Sequence, residues 1–106
     1  MGNVVLMSLT PRSARTEINK ILDVGEHRVI YTDHAKKRMK KRKVLRAQVM
    51  KCLRHGLIQE GPARSAKGSW EMKINSVSAG DDISIVVALD YDNAGNKIII
   101  ITAYKG

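Results

Sequence analysis

The sequence predicts one α+β domain, with two to three N-terminal helices packed on a mostly antiparallel sheet of about four strands. In the first half of the chain, apolar residues recur at helical spacing, whereas in the second half they alternate or run continuously as in strands. The connections between consecutive strand-like segments are short, which favours an antiparallel meander. The 106 residues, of which 43% are hydrophobic, suit a single domain spanning 1–106.

Capping residues and helical spacing predict where the helices lie. The predicted helices begin near residues 11, 33 and 45 and end near residues 24, 42 and 55. Thr10 is a good N-cap for the first helix because Pro11 follows it at the first helical position. Thr32 or Asp33 can cap the second. Residues 1–9 form a short apolar lead, either a strand or a loose end, and 29–31 is a short β-like run.

The remaining apolar residues predict strands. These strands begin near residues 57, 70, 83 and 98. In the second of them, Trp70 and Lys73 lie on opposite faces, and we expect Trp70 to pack in the core. The segments 83–89 and 98–101 are almost wholly apolar. They are therefore expected in the middle of the sheet, with both faces at least partly covered.

The charge of the chain is strongly positive. Nineteen Lys and Arg residues against ten Asp and Glu residues give a formal net charge of +9, and no acidic residue lies between His34 and Gln59. Like charges four residues apart destabilise a helix, and a polyanion would offset that cost. The charge therefore favours RNA or another nucleic acid as a partner, while a solvated face is the alternative. The candidate nucleic-acid contacts are Lys37, Lys41, Arg46 and Lys73.

Four-residue spacing places His34, Arg38 and Arg42 in one row on the second helix. At about 100° per residue, this row lies beside the stripe formed by Ala35 and Met39, at the edge where a helix meets its sheet. Arg binds phosphate through a planar fork, and His transfers protons near neutral pH. The row is therefore a candidate site, although His34 could instead cap or pack at the helix start while both Arg side chains extend to solvent.

The single cysteine, Cys52, excludes an internal disulfide and is compatible with a reducing cytoplasm. We expect Cys52 to be a buried apolar residue; a metal site shared with His55 is the less favoured alternative. The first residues lack the charged lead and long apolar run of a signal peptide, and no segment reaches the length of a membrane span. We therefore expect a cytoplasmic protein with no cofactor, no metal and no membrane partner.

The residues His34–Arg42 match an H-A-x-x-R-M-x-x-R signature and resemble a family of small, functionally uncharacterised prokaryotic domains. In that family an amphipathic helix ending in Gly follows, and a late strand ends in T-x-Y; here these are Gly56 and Thr102-Ala103-Tyr104. The resemblance covers about residues 30–104. Many members have Gly after the second Arg of the signature, whereas this chain has Lys43.

That family looks distantly related to the RelE-like toxin ribonucleases, which implies a RelE-like or barnase-like arrangement and RNA cleavage without a metal. In such a reaction His34 would act as acid or base, Arg38 and Arg42 would hold the phosphate, and Tyr104 would donate a hydrogen bond or stack on a base. The implied partners are RNA, a ribosome and an antitoxin-like protein. The alternatives are a non-catalytic nucleic-acid-binding module and a protein-interaction domain, for example a homodimer formed through a sheet edge.

Overall fold

The structure is a computed structural model that describes residues 9–78, 80–92 and 95–105. In these residues, three α-helices accompany a five-stranded mixed sheet. The elements are α1 (Pro11–Val24), β1 (Val29–Tyr31), α2 (Asp33–Arg42), α3 (Arg46–His55), β2 (Leu57–Arg64), β3 (Trp70–Ser78), β4 (Asp81–Asp92) and β5 (Gly95–Lys105). The α+β class and the N-terminal helices are confirmed. Of the predicted lead 1–9, only Leu9 lies within the described residues, and it is buried. No described helix is long and apolar enough to cross a membrane.

Local capping sets the helix boundaries, as the sequence predicts. The Thr10 hydroxyl accepts a hydrogen bond from the Ser13 amide at 3.1 Å, and the Ser13 hydroxyl accepts one from the Thr10 amide at 2.8 Å. At α2 the cap is Thr32, whose hydroxyl accepts from the Ala35 amide at 3.0 Å. Asp33 is instead the first helical residue, where its negative charge suits the helix dipole.

At its C-terminus, α2 ends at Lys43, which adopts left-handed backbone angles of φ 58° and ψ 43°. A side chain other than Gly is strained in this region because its Cβ crowds the backbone. The turn therefore forms with Lys, at a conformational cost.

The strand order in the sheet is β1-β5-β4-β3-β2. Strands β2 to β5 form the predicted antiparallel meander, and the two apolar strands β4 and β5 lie in the interior of the sheet. The expectation of about four strands is wrong by one, because Val29–Tyr31 pairs in parallel with Ile98 to Ile100. A three-residue run carries almost no periodicity, and this pairing joins segments nearly seventy residues apart.

One face of the sheet carries the buried side chains. On β3 these are Trp70, Met72 and Ile74, and their partners on β4 are Leu89, Val87 and Ile85. Helices α1 and α3 cover this face with a cluster that includes Ile18 and Leu53. Trp70 is only 7% exposed, so its predicted core position is confirmed.

Helix α1 is tied to the C-terminal end of α3. The guanidinium of Arg15 donates hydrogen bonds to the backbone carbonyls of Leu53 and Gly56. Cations at a helix C-terminus are favourable because the last carbonyls lack helical partners. Gly56 itself leaves no room for a side chain, since a Cβ there would lie 2.6 Å from Cγ2 of Ile74 on β3.

Strand β5 contains a β-bulge. Val86 of β4 pairs with Thr102, whereas the next residue, Val87, pairs with Ile100, so Ile101 is an extra residue on β5. Up to Ile100 the even-numbered residues face the core, whereas beyond the bulge the odd-numbered Ala103 does. Tyr104 therefore lies on the face of the sheet away from α1 and α3.

Candidate nucleic-acid interface

Helix α2 is held against β5 from the middle of the strand onward. Beyond the end of β1, the Thr32 amide and hydroxyl donate to the Ile100 carbonyl at 3.2 and 3.0 Å. The hydroxyl is also 3.2 Å from the Ile101 carbonyl. Ala35 and Met39 then bury the inner stripe of the helix. The residues beside that stripe consequently lie next to the end of β5, as the four-residue spacing of His34, Arg38 and Arg42 predicts.

A cleft of about 340 Å³ lies between α2 and β5. We call it the α2–β5 cleft; it is lined by His34, Arg38, Arg42, Thr102, Tyr104 and Lys105. His34 and Arg42 are exposed at its mouth, and Arg38 is half-buried. The structure thus brings together all four side chains that the sequence analysis proposed for catalysis.

The α2–β5 cleft is cationic. Within the described part of the chain, no carboxylate forms an ion pair with His34, Arg38 or Arg42. Lys105 differs, because its Nζ lies 3.3 Å from Oδ2 of Asp81. Guanidinium groups without a partner carboxylate can bind a phosphate without first breaking an ion pair.

Asp81 is fixed from two sides. Its Oδ2 accepts a hydrogen bond from Nε2 of Gln48 at 3.0 Å, in addition to the contact with Lys105. The hydrogen bond from Gln48, followed by that from Lys105, lowers the pKa of Asp81 below its ordinary value of 3.8. The cleft is therefore linked through Lys105 and Asp81 to the N-terminal end of α3.

Tyr104 forms the border between the α2–β5 cleft and the surface of β3. Nζ of Lys73 lies 5.7 Å from the centre of the Tyr104 ring, within cation–π range. A hydrogen bond to Tyr104 is the main cause of the raised pKa of Lys73. Glu60 also contacts Lys73, with its Oε2 at 3.9 Å from Nζ. Of the predicted nucleic-acid contacts, Lys73 is therefore the one beside the cleft.

The other three predicted nucleic-acid contacts do not line the cleft. Lys37 and Lys41 are exposed on α2. The guanidinium of Arg46 lies 4.2 Å from the centre of the Tyr31 ring. Tyr31 faces the side of the sheet that the helices cover, so Arg46 is turned away from Tyr104.

Two lining residues, Thr102 and Lys105, were not predicted as site residues. Their positions follow from the bulge at Ile101 and from the long-range contact between α2 and β5, neither of which is visible in local patterns. The charge of Lys105 and its place next to Tyr104 are the only local signal that could have identified it.

Cys52 is fully buried, as predicted, with its Sγ 3.5 Å from the Ile74 carbonyl oxygen. Burial raises the pKa of the Cys52 thiol. His55, its proposed metal-binding companion, is exposed. Among the described residues, no group of three or more His, Cys, Asp or Glu side chains could hold a metal ion. Cys52 is therefore a core residue.

The α2–β5 cleft combines groups with complementary chemistry. Two guanidiniums and an ammonium can bind a phosphate, and an imidazole can accept or release a proton. A phenol can donate a hydrogen bond or offer an aromatic face to a base. Fold and cleft together define a small basic α+β domain with a cationic cleft where a helix meets its sheet.

The chain belongs to the DUF4258 family, a domain of unknown function, whose model matches residues 31–105. The matched region begins at β1 and includes the whole α2–β5 cleft, whereas α1 lies outside it. No curated protein gives a significant match to the chain. No solved structure does either.

Proposed function

We propose that this protein binds RNA through the α2–β5 cleft. The observation that carries the proposal is the convergence of Arg38, Arg42 and His34 on one cleft with Tyr104. Each guanidinium can hold two phosphate oxygens through parallel hydrogen bonds. A backbone phosphate of RNA is a ligand that such a cleft suits.

The surroundings of the cleft favour a long polyanion over a small anion. Lys36, Lys37, Lys40 and Lys41 are exposed on α2 and extend the positive charge beyond the cleft. Positive charge spread along a helix contacts successive phosphates and releases their counterions. Tyr104 adds an aromatic surface of the kind on which unpaired bases stack.

The binding proposal is tested with a labelled mixed-sequence single-stranded RNA, whose affinity is measured by fluorescence anisotropy across a salt series. Arg38→Ala/Arg42→Ala should weaken binding by about tenfold or more. It should also reduce the slope of log affinity against log salt by about 1.4, or about 0.7 per cation. The matched control is Lys36→Ala/Lys40→Ala, which removes the same charge from exposed positions of the same helix. Equal losses in both double variants would contradict a role for the cleft and point to a diffuse field.

A second candidate function is cleavage of the bound RNA without a metal. It is favoured by the presence of an imidazole and a phenol in the same cleft as the two guanidiniums. In this reaction the ribose 2′-oxygen attacks the adjacent phosphorus, and the bond from phosphorus to the 5′-oxygen breaks. The base takes the 2′-hydroxyl proton, the acid protonates the leaving oxygen, and the products carry a 2′,3′-cyclic phosphate and a 5′-hydroxyl. His34 is the candidate acid or base, and Arg38 and Arg42 stabilise the charge on phosphorus.

Cleavage is tested with end-labelled RNA in EDTA, with and without ribosomes, because a ribosome is one of the expected partners. The wild type should yield cyclic-phosphate ends, and His34→Ala should lower the rate by about a hundredfold or more while RNA affinity changes little. Intact RNA in every lane, together with salt-sensitive binding, would leave a non-catalytic RNA-binding module. Gel filtration of the protein alone would show whether it forms a homodimer.

A further inference from the structure

A second cleft adjoins the α2–β5 cleft on the far side of Tyr104. We call it the β2–β3 cleft; it has a volume of about 350 Å³, and its lining includes Glu60, Gly61, Glu71, Lys73 and Tyr104. It occurs where β2 pairs irregularly with β3, with register shifts between Ile58 and Glu60 and between Glu60 and Ala63. Because Tyr104 lines both clefts, one ligand passing over its ring can occupy both.

The two clefts carry opposite charge. The α2–β5 cleft is lined by Arg38, Arg42 and Lys105, whereas the β2–β3 cleft is lined by two carboxylates and one ammonium. Ionised carboxylates only accept hydrogen bonds, so Glu60 and Glu71 repel a phosphate and attract N–H donors. A group that enters the β2–β3 cleft therefore needs N–H donors and a flat apolar face for Tyr104. A nucleobase has both.

Lys73 helps to arrange this cleft. Its ammonium lies 3.9 Å from the Glu60 carboxylate and 5.7 Å from the centre of the Tyr104 ring. The contact with Lys73 places the exposed carboxylate of Glu60 on the same side of the sheet as the aromatic ring. The hydrogen-bond acceptor and the stacking surface are therefore next to each other in the cleft.

We propose that the β2–β3 cleft is a nucleobase subsite that selects guanine in single-stranded RNA. The inference rests on the proposed RNA binding, because the base enters while its adjacent phosphate occupies the α2–β5 cleft. Guanine presents N1–H and the exocyclic N2–H side by side, which matches the two oxygens of one carboxylate. Uracil presents a single N3–H that lies between two carbonyl oxygens. A carboxylate repels both of these oxygens, so uracil fits the subsite less well. A base in a duplex cannot reach the subsite, because its hydrogen-bonding edge and its faces are already occupied.

The test uses fluorescein-labelled 2′-O-methyl pentamers, which cannot be cleaved by attack of a 2′-hydroxyl. One contains only uridine, and the other has guanosine at its centre; anisotropy gives both affinities. Wild type should bind the guanosine pentamer about tenfold more tightly. Glu60→Gln and Glu71→Gln should reduce that preference without weakening binding of the uridine pentamer. Glu26→Gln, an equal charge change at an exposed residue that lines neither cleft, is the matched control and should keep the preference.

The role of Tyr104 is separated from that of the carboxylates by two variants. Tyr104→Phe should retain most of the affinity for both pentamers, whereas Tyr104→Leu should weaken both by about tenfold because the stacking surface is lost. Circular dichroism checks that each variant is folded.

The outcomes separate this inference from the proposal on which it rests. Equal, salt-sensitive affinities of wild type for the two pentamers would overturn the guanine subsite and leave RNA binding standing. A preference that survives in both Glu variants would overturn the assignment of the subsite to the β2–β3 cleft. If neither pentamer nor the mixed-sequence RNA binds in a salt-sensitive way, both the inference and the proposed function are wrong.

Discussion

Arg15 of α1 and Arg54 of α3 differ from the two arginines of α2 in what they contact. Arg15 of α1 donates to two carbonyls at the end of α3, and Arg54 of α3 pairs with Asp23 at 3.0 Å. On α2, by contrast, Arg38 and Arg42 have no ion pair among the described residues. The first group contributes to the fold, whereas the second leaves its charge available to a ligand.

Net charge alone is therefore a poor guide to a binding surface. A cation already bound to protein groups has to lose those contacts before it binds phosphate, whereas an unpartnered one does not. The unpartnered cations also repel one another at four-residue spacing, so α2 is stabilised less by its own sequence than α1 is. We expect mutations to separate the two groups by the sign of their effect on stability.

The largest expected effect on stability comes from Arg15→Ala, which removes both hydrogen bonds to the end of α3. We expect the free energy of unfolding to fall by about 2–3 kcal/mol, since charged donors to buried carbonyls contribute more than neutral ones. Urea denaturation followed by circular dichroism measures it. Arg54→Ala is the control and should cost below about 1 kcal/mol because its ion pair is exposed. Equal losses in the two variants would show that the carbonyl contacts are not important.

The next effect concerns the end of α2. Lys43→Gly should raise the free energy of unfolding by about 0.5–1 kcal/mol, because glycine adopts left-handed angles without Cβ crowding. Lys43→Ala removes the same charge but keeps the strain, and should change stability little. If both variants were stabilised equally, relief of charge repulsion rather than of backbone strain would be the cause.

A smaller effect tests the repulsion along α2. Lys36→Gln removes a like-charge pair with Lys40 and should raise the free energy of unfolding by about 0.2–0.5 kcal/mol. Lys20→Gln on α1 removes the contact of Lys20 with Glu17 at 3.5 Å and should act in the opposite direction. Thermal melts at low salt compare them, and added salt should shrink both effects. Changes of the same sign would remove the distinction between the two helices.

The smallest effect is expected at Asp81, whose carboxylate is partly open to water. Its folded-state pKa lies below 3.8, so between the two pKa values the unfolded chain binds more protons, and stability rises with pH. The contribution of Asp81 is therefore present above 3.8 and is lost as pH falls through the folded-state pKa. Asp81→Asn should flatten the acid limb of a plot of melting temperature against pH.

The same variant, Asp81→Asn, also tests whether Lys105 contributes to RNA binding at the cleft. Lys105 is the cleft cation that has a carboxylate partner, and Asp81→Asn removes it. RNA affinity near neutral pH should rise modestly, with a steeper dependence on salt. Unchanged affinity would mean that Lys105 does not contact RNA.

The helices could be predicted from the sequence because their signals are local. Thr10 and Thr32 cap with their own hydroxyls, and the row of His34, Arg38 and Arg42 follows from helical geometry alone. The placement of Tyr104 came from the family resemblance rather than from its residue pattern. Its position in the cleft nevertheless agrees with that expectation.

The missed features depend on contacts between distant segments. Strand β1 has three residues, and only its pairing with β5 makes it part of the sheet. Nucleic-acid binding by Arg46 stays a prediction from its charge, but the position of its guanidinium over the Tyr31 ring could not be predicted, because this contact joins α3 to β1. Glu60 and Glu71 were not singled out, because the cleft that they share exists only where β2 departs from regular pairing.

The bulge on β5 decides which way the end of the strand faces. If Ile101 were paired and β5 followed β4 in one continuous register, Tyr104 would lie opposite Ile83 rather than Ser84, and its ring would face the core. Ala103, which is fully buried, would turn outward. Deleting Ile101 would remove the bulge but leave Thr102 opposite Val86 and Tyr104 opposite Ser84, so the tyrosine would keep its facing. Relatives that lack the extra residue would therefore keep the tyrosine in its cleft, whereas relatives that keep the residue but lose the bulge would turn the tyrosine into the core.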